Sequence, residues 1–469
     1  MKNKINNLTR MRLLLGLTAI AALGMAPPVR AGGGSFYATV TNETQLVDDI
    51  NYANTNGGTF TINLQPNTTF DLLTVNGSDE YGGEMLPIIG GAKAVNLTIL
   101  GNGDTIQRDT NAPQRRLVEV AQGSSLTLDQ MTLQNGYAYD YSPVFGIPAF
   151  YGGAICNFGT LVISNCTLSG NTVSAYLDEY GQIFSGGKGG AIYNSGTVTI
   201  SHSTISGNSA HYYDDNGPTY GFGGGIYNDY YGTVTISQST ISSNGADISG
   251  GGIYNNYGTV TISHSTLSGN GANGDGGGIY NDSGTVTISQ STISSNGAGE
   301  YGGGIYNNGT VTVENSSSIT GNHVGYFYYG ADIYNLGTLY LDGTSMIGFL
   351  YGSSAIGLNP ALSINSWSST AHQLVLSWST NYTGFTLQSS TDPGSTNWTD
   401  CASPTVSGAA YVVTNSMSAA AQSPHAASQW PETADSLTNP NNRMRLTEHI
   451  RTSRLNLGCA PVRRNGCRW

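Results

Sequence analysis

The sequence predicts an all-β chain wound as a right-handed parallel β-helix, on three observations. The tripeptide Ile-Tyr-Asn, or Ile-Cys-Asn the first time, starts at Ile155, Ile192, Ile226, Ile253, Ile279, Ile305 and Ile333, at spacings of 37, 34, 27, 26, 26 and 28 residues. A near-constant period with insertions in only some copies marks a solenoid. Within a copy, as in Thr285-Val286-Thr287-Ile288-Ser289, apolar and hydroxyl residues alternate with the period of two that a half-buried strand needs. Of 469 residues 65 are Gly and only 10% are charged, which suits tight corners and strands better than helices.

Each copy reads as three short strands, Ile279 to Asn281, Thr285 to Ser289 and Thr292 to Ser294, with turns between them. One coil cannot close its own apolar face, so coils stack at roughly 4.8 Å and bury Ile and Val in a continuous interior. Val95 to Gly101 and Leu117 to Asn135 extend the series upstream, and Gly337 to Leu341 extends it downstream. The expected rod has about nine coils and a length on the order of 43 Å.

Asn157, Asn194, Asn228, Asn255, Asn281, Asn307 and Asn335 close the first strand, and Asn135, Asn171, Asn208, Asn244, Asn270, Asn296 and Asn322 close the third. Both columns are expected to be structural ladders, amide bonded to amide, in turns whose left-handed geometry Asn tolerates. His202 and His264 share a coil position with Gln238 and Gln290, which marks a turn residue rather than a base or a ligand. The five cysteines show no zinc spacing, and Cys156 and Cys166 can pair only if their coils bring them together.

The chain divides into a signal peptide (1–31), an N-terminal cap (32–93), the β-helix (94–357), a small β-sandwich-like segment of immunoglobulin or fibronectin III type (358–420) and a disordered or frameshifted tail (421–469). The leader has Lys2, Lys4, Arg10 and Arg12, the apolar run Leu13 to Met25, and the cleavage-like Val29-Arg30-Ala31. The cap is expected to hold a strand at Phe36 to Val40 and an amphipathic helix around Glu43 to Asn54. No segment of the mature chain is apolar enough to span a bilayer. From residue 117 to 420 there are 17 acidic residues and one base, Lys188, so nucleic acid is excluded as a partner.

The Gly-Gly-Ala-Ile motifs at Gly152 to Ile155 and Gly189 to Ile192, and Gly-Gly-Gly-Ile ending at Ile226, Ile253, Ile279 and Ile305, resemble the repeats of chlamydial polymorphic outer membrane proteins. The chain is similar also to the right-handed β-helix repeat proteins secreted by Verrucomicrobia and Planctomycetes, through Asn102-Gly-Asp-Thr-Ile106 upstream and Trp378 to Trp398 downstream. The resemblance implies a secreted or cell-surface bacterial protein of adhesion type. The resemblance is expected to stop short of the membrane barrel of the polymorphic proteins.

If Ile192 and its equivalents point inward, Tyr193, Tyr227, Tyr254, Tyr280, Tyr306 and Tyr334 point outward as an exposed stripe. Long insertions precede the early coils and contribute Tyr212 and Tyr213 beside it. Such a wall suits a carbohydrate or a partner protein. The rival reading is a polysaccharide lyase or hydrolase, with Lys188 as base, Asp214 and Asp215 as carboxylates, and Asp178, Glu179, Asp214 and Asp215 as candidate Ca²⁺ ligands. A third is a passive structural element of the surface. Without a catalytic motif, no cofactor other than Ca²⁺ is a candidate.

Overall fold

The computed structural model describes residues 39–79, 81–139, 151–175, 186–212, 221–325 and 330–357, and beyond them residue 403 and the strand segments 363–368, 373–379, 385–390, 399–400, 405–407, 410–416, 437–439 and 442–448. The proposed signal peptide lies outside these residues. Among them no helix is long and apolar enough to cross a membrane.

The Ile-Tyr-Asn strands form one face of the rod, a parallel sheet of nine strands from Val118–Val120 to Leu350–Gly352. The coils expected from Val95 to Leu341 stack in order in the neighbouring sheet, which runs on past them to Gly58–Asn63 upstream and Ile356–Gly357 downstream. Register holds like to like: Ile279 pairs with Ile253 and Ile305, and Val286 with Val260 and Val311. Every coil therefore presents the same residue to the same neighbour, and Ile253, Ile279, Ile305, Val260, Val286, Ile262 and Ile288 are all fully buried in one core.

Two features of the cross-section differ from the reading of three strands per coil. Thr285–Ser289 and Thr292–Ser294 belong to one 19-stranded sheet, separated by a bend at Gln290, whose φ is 48°. His202, Gln238 and His264 take the same left-handed bend, as expected of turn residues. The last face is a seven-stranded sheet of short pieces such as Gly271–Ala272 and Gly297–Ala298, which two-residue Gly-Ala segments do not betray by any periodicity.

Both asparagine ladders form. In the first, each Nδ2 donates to the Oδ1 of the next coil, from Asn157 through Asn335, at 2.7–2.9 Å. In the second, backbone N and Nδ2 both donate to the next Oδ1, from Asn171 to Asn322, and the series ends on the carboxylate of Asp332. Asn135 is not a rung. Its neighbour Gln134 pairs with Ser169, which puts Asn135 (φ 61°) level with Gly170 (φ 62°). The left-handed geometry thus belongs to the residue before each rung of the second ladder.

A third column went unread in the sequence: the backbone N of Ser203, Ser239 and Ser265 donates to Oγ of Ser239, Ser265 and Ser291 at 3.1 Å. Its first member is Cys166, whose N donates to Ser203 Oγ. Cys156 and Cys166 are both free and buried.

At the upstream end, helix α1 (Glu43–Asn56) plugs the rod. Asn42 caps it by accepting the N–H of Gln45, Gly57 ends it at φ 68°, and Leu46, Ile50 and Ala53 enter the core. Of the strand expected at Phe36 to Val40, the described part is a bridge from Val40 to Leu64. Downstream lie two antiparallel sheets of four strands each. The second contains Leu437–Asn439 and Asn442–Glu448, from the stretch where the sequence suggests no strand. Arg443 and Arg445 alternate with Met444 and Leu446 there, and the charge masks the pattern.

Candidate functional site

Period-two geometry turns the middle residue of each Ile-Tyr-Asn strand away from the core, and register then stacks the tyrosines. Ring centroids are 5.8 Å apart for Tyr193–Tyr227, 5.0 Å for Tyr227–Tyr254, 4.8 Å for Tyr254–Tyr280, 4.6 Å for Tyr280–Tyr306 and 5.3 Å for Tyr306–Tyr334. Tyr351 adds a further ring at 5.4 Å.

The stripe is real, but its first rungs are not exposed. Tyr193 and Tyr227 retain only 4% of their surface, whereas Tyr254 to Tyr334 are half-buried. The cover comes from outside the repeat. Cys156 occupies the tyrosine position one coil earlier, and its small side chain leaves room for the ring of Tyr151, which stacks on Tyr193 at 4.2 Å. Phe158 and Phe222 close the sides. The ammonium of Lys188 sits 5.5 Å from the Tyr151 ring and 5.0 Å from that of Tyr227. This residue, the lyase-base candidate, is thus held over aromatic faces. Burial, then the hydrogen bond to Asp229, pushes the Tyr193 phenol far above its ordinary range.

Asp229 joins the buried stack to an exposed one. Its Oδ2 accepts from Tyr193 Oη at 2.5 Å and its Oδ1 from Asn256 Nδ2 at 2.8 Å. The next residues, Tyr230 and Tyr231, and Tyr257 one coil on, stand in the turn before the second strand, exposed by 50%, 87% and 47%. Tyr230 stacks on Tyr257 at 4.7 Å, and Tyr231 and Tyr257 have φ of 61° and 57°, unusual for bulky residues. None of the three was singled out in the sequence. Their signal was there in the turn itself, where Asp-Tyr-Tyr-Gly and Asn-Tyr-Gly stand in place of Ser-Gly.

Of the other candidates, Tyr213, Asp178, Glu179, Asp214 and Asp215 lie outside the described residues, as does the side chain of Tyr212. A carboxylate group that could hold a cation occurs elsewhere: oxygens of Asp79, Glu84 and Glu119 lie within 4.8 Å of one another. Glu119 heads the tyrosine column, pairing with Cys156. Buried Arg116 already supplies positive charge there, with Nε 3.2 Å from Glu84 and Nη1 3.8 Å from Glu119. Its other terminal nitrogen donates to the Tyr81 carbonyl.

Burial pushes the Glu119 carboxyl up to about 9, with Glu84 and Asp79 adding to the rise and Arg116 opposing it. A carboxyl raised on folding favours the fold most below its unfolded value, and that contribution fades as pH climbs through the folded one. The melting temperature is therefore expected to fall between pH 7 and pH 9.5, and more steeply than in Glu119→Gln. Parallel pH profiles of the two proteins would show that Glu119 is not the group responsible.

The family model of the Chlamydia polymorphic membrane protein repeat matches residues 165–195 and 264–282. Each match runs from the bend before the third strand into the following Ile-Tyr-Asn. No curated protein and no solved structure matches the chain. With its stacked parallel strands the chain is a right-handed β-helix similar to polymorphic outer membrane proteins, and the repeat points to the bacterial cell surface or outer membrane.

Proposed function

We propose that the chain is an exported, adhesin-like surface protein that binds carbohydrate along the aromatic edge of its first face. The observation that carries this reading is the exposed cluster of Tyr230, Tyr231 and Tyr257, in which Tyr230 stacks on Tyr257 and Tyr231 meets Tyr230 edge-on, beside the half-buried rings of Tyr254 and Tyr280. Aromatic faces offer a sugar ring an apolar surface, and phenol hydroxyls and nearby Asp229 and Asp282 offer it hydrogen bonds. The secretory pattern of residues 1–31 and the repeat match support an extracellular place for it.

A glycan array probed with the mature chain tests the reading. Replacing Tyr230 and Tyr257 by Ala is expected to weaken the bound glycan by about 2 kcal/mol, on the order of 30-fold in Kd, as for an aromatic anchor. Both side chains are at the surface, so the melting temperature should stay put. Undiminished glycan binding, or binding to cells stripped of glycans, would overturn the proposal, the latter in favour of a protein partner.

A further inference from the structure

A different face of the rod carries a second regular surface. The outward residues of the second strand are Thr197 and Thr199, Thr233 and Thr235, Thr259 and Thr261, Thr285 and Thr287, and Thr310 and Thr312, five consecutive coils of Thr-Val-Thr paired in register. The intervening Val198, Val234, Val260, Val286 and Val311 are fully buried, so the threonines stand on the solvent side. None of these ten hydroxyls bonds to another protein group among the described residues, although the hydroxyl and amide columns inside the rod are all engaged.

The face repeats in two directions. Hydroxyls recur at roughly 4.8 Å from coil to coil and at roughly 6.7 Å along each strand. Register is unbroken across the five coils, Thr paired with Thr and Val with Val, so the mesh carries no offset from coil to coil. β-Branching fixes χ1, so each threonine holds its methyl and hydroxyl in a set direction before anything binds.

We propose that this threonine face binds the surface of ice. A ligand of finite size is matched by irregular groups around a pocket, whereas a face that repeats by translation in two dimensions matches a partner that does the same. The chemistry selects among periodic partners. A mineral or charged polymer would call for charged residues along the face, and the five strands carry one, Glu314, at the end of the last of them. A crystalline polysaccharide would call for aromatic rings, and the first in the column of Thr312 is Tyr340. Uncharged, rigid methyl and hydroxyl groups suit an ordered water lattice, whose oxygens the hydroxyls join while the methyls fill the gaps between them. The site shares no residue with the tyrosine cluster.

The experiment is partition of the full chain into slowly growing ice, together with inhibition of ice recrystallisation. The wild-type protein is expected to enter the ice and to keep crystals small. Thr261→Lys with Thr287→Lys should abolish both effects, and so should Thr235→Tyr, which obstructs the face with a residue that strands accept well. Unchanged circular dichroism melting would show that the rod is intact, and the Tyr230→Ala, Tyr257→Ala protein should still partition, which separates this site from the carbohydrate site. Exclusion of the wild-type chain from ice, like that of serum albumin, overturns the proposal. So does binding to microcrystalline cellulose or chitin that the threonine substitutions abolish while ice is ignored.

Discussion

Asn281→Ala is expected to open the rod at one coil. The Asn281 amide is fully buried, and its Nδ2 donates to Asn307 Oδ1 at 2.8 Å and Gly284 O at 3.0 Å, while its Oδ1 accepts from Asn255 Nδ2 at 2.9 Å. Alanine removes the rung and leaves partners above and below without it. A buried polar group left unsatisfied costs about 1–3 kcal/mol, so losing both sides of the rung should cost about 3 kcal/mol or more. Stability in a solenoid is a sum over neighbouring coils, and the loss is therefore local at first. Hydrogen exchange should quicken at the amides of 279–310 before those of the distant coils, with a lowered melting temperature. Asn308→Ala is the control, because Asn308 is exposed. Equal protection in the two variants would mean that the ladder is only a passenger in the stack.

Gly277→Ala should be nearly as damaging, for reasons of space. A Cβ at Gly277 would run into the carbonyl oxygen of Gly297 and come within 2.6 Å of that of Gly303, both backbone atoms of the next coil. Neither can move without breaking register. Overpacking of this kind costs about 1–3 kcal/mol, and backbone against backbone falls at the upper end. Gly271→Ala, where the nearest atom lies 4.0 Å away, should be tolerated. A chemical or thermal unfolding curve for each protein compares them. If the two alanine proteins melt together, the coils can spread, and the triple-glycine motif needs another explanation. Gly276, one residue earlier, answers to a different demand, since its φ is 66°.

These two substitutions show how far the repeat could be read. Ile279, Tyr280 and Asn281 recur because stacking at fixed register makes each residue its own neighbour. From that alone followed the inward isoleucines, the bonded asparagines and the outward tyrosines. The serine column escaped notice because Ser203, Ser239 and Ser265 sit among other serines and threonines, where nothing local separates a buried hydroxyl from an exposed one. Asn135 was misplaced by one residue for a similar cause: an Asn one position before the rung resembles a rung until pairing fixes its level.

The strands, their faces, the core and the stack of rings are local matters, settled by period-two alternation and by a repeat of near-constant length. The access of any ring to a ligand is not. Tyr193 and Tyr280 occupy the same place in the same motif, yet Tyr193 is covered and Tyr280 only half so, because Tyr151, Lys188 and Phe222 lie over the early coils and nothing among the described residues covers the later ones to that extent. Direction follows from backbone geometry within a few residues, but burial depends on what distant segments bring to the same point in space.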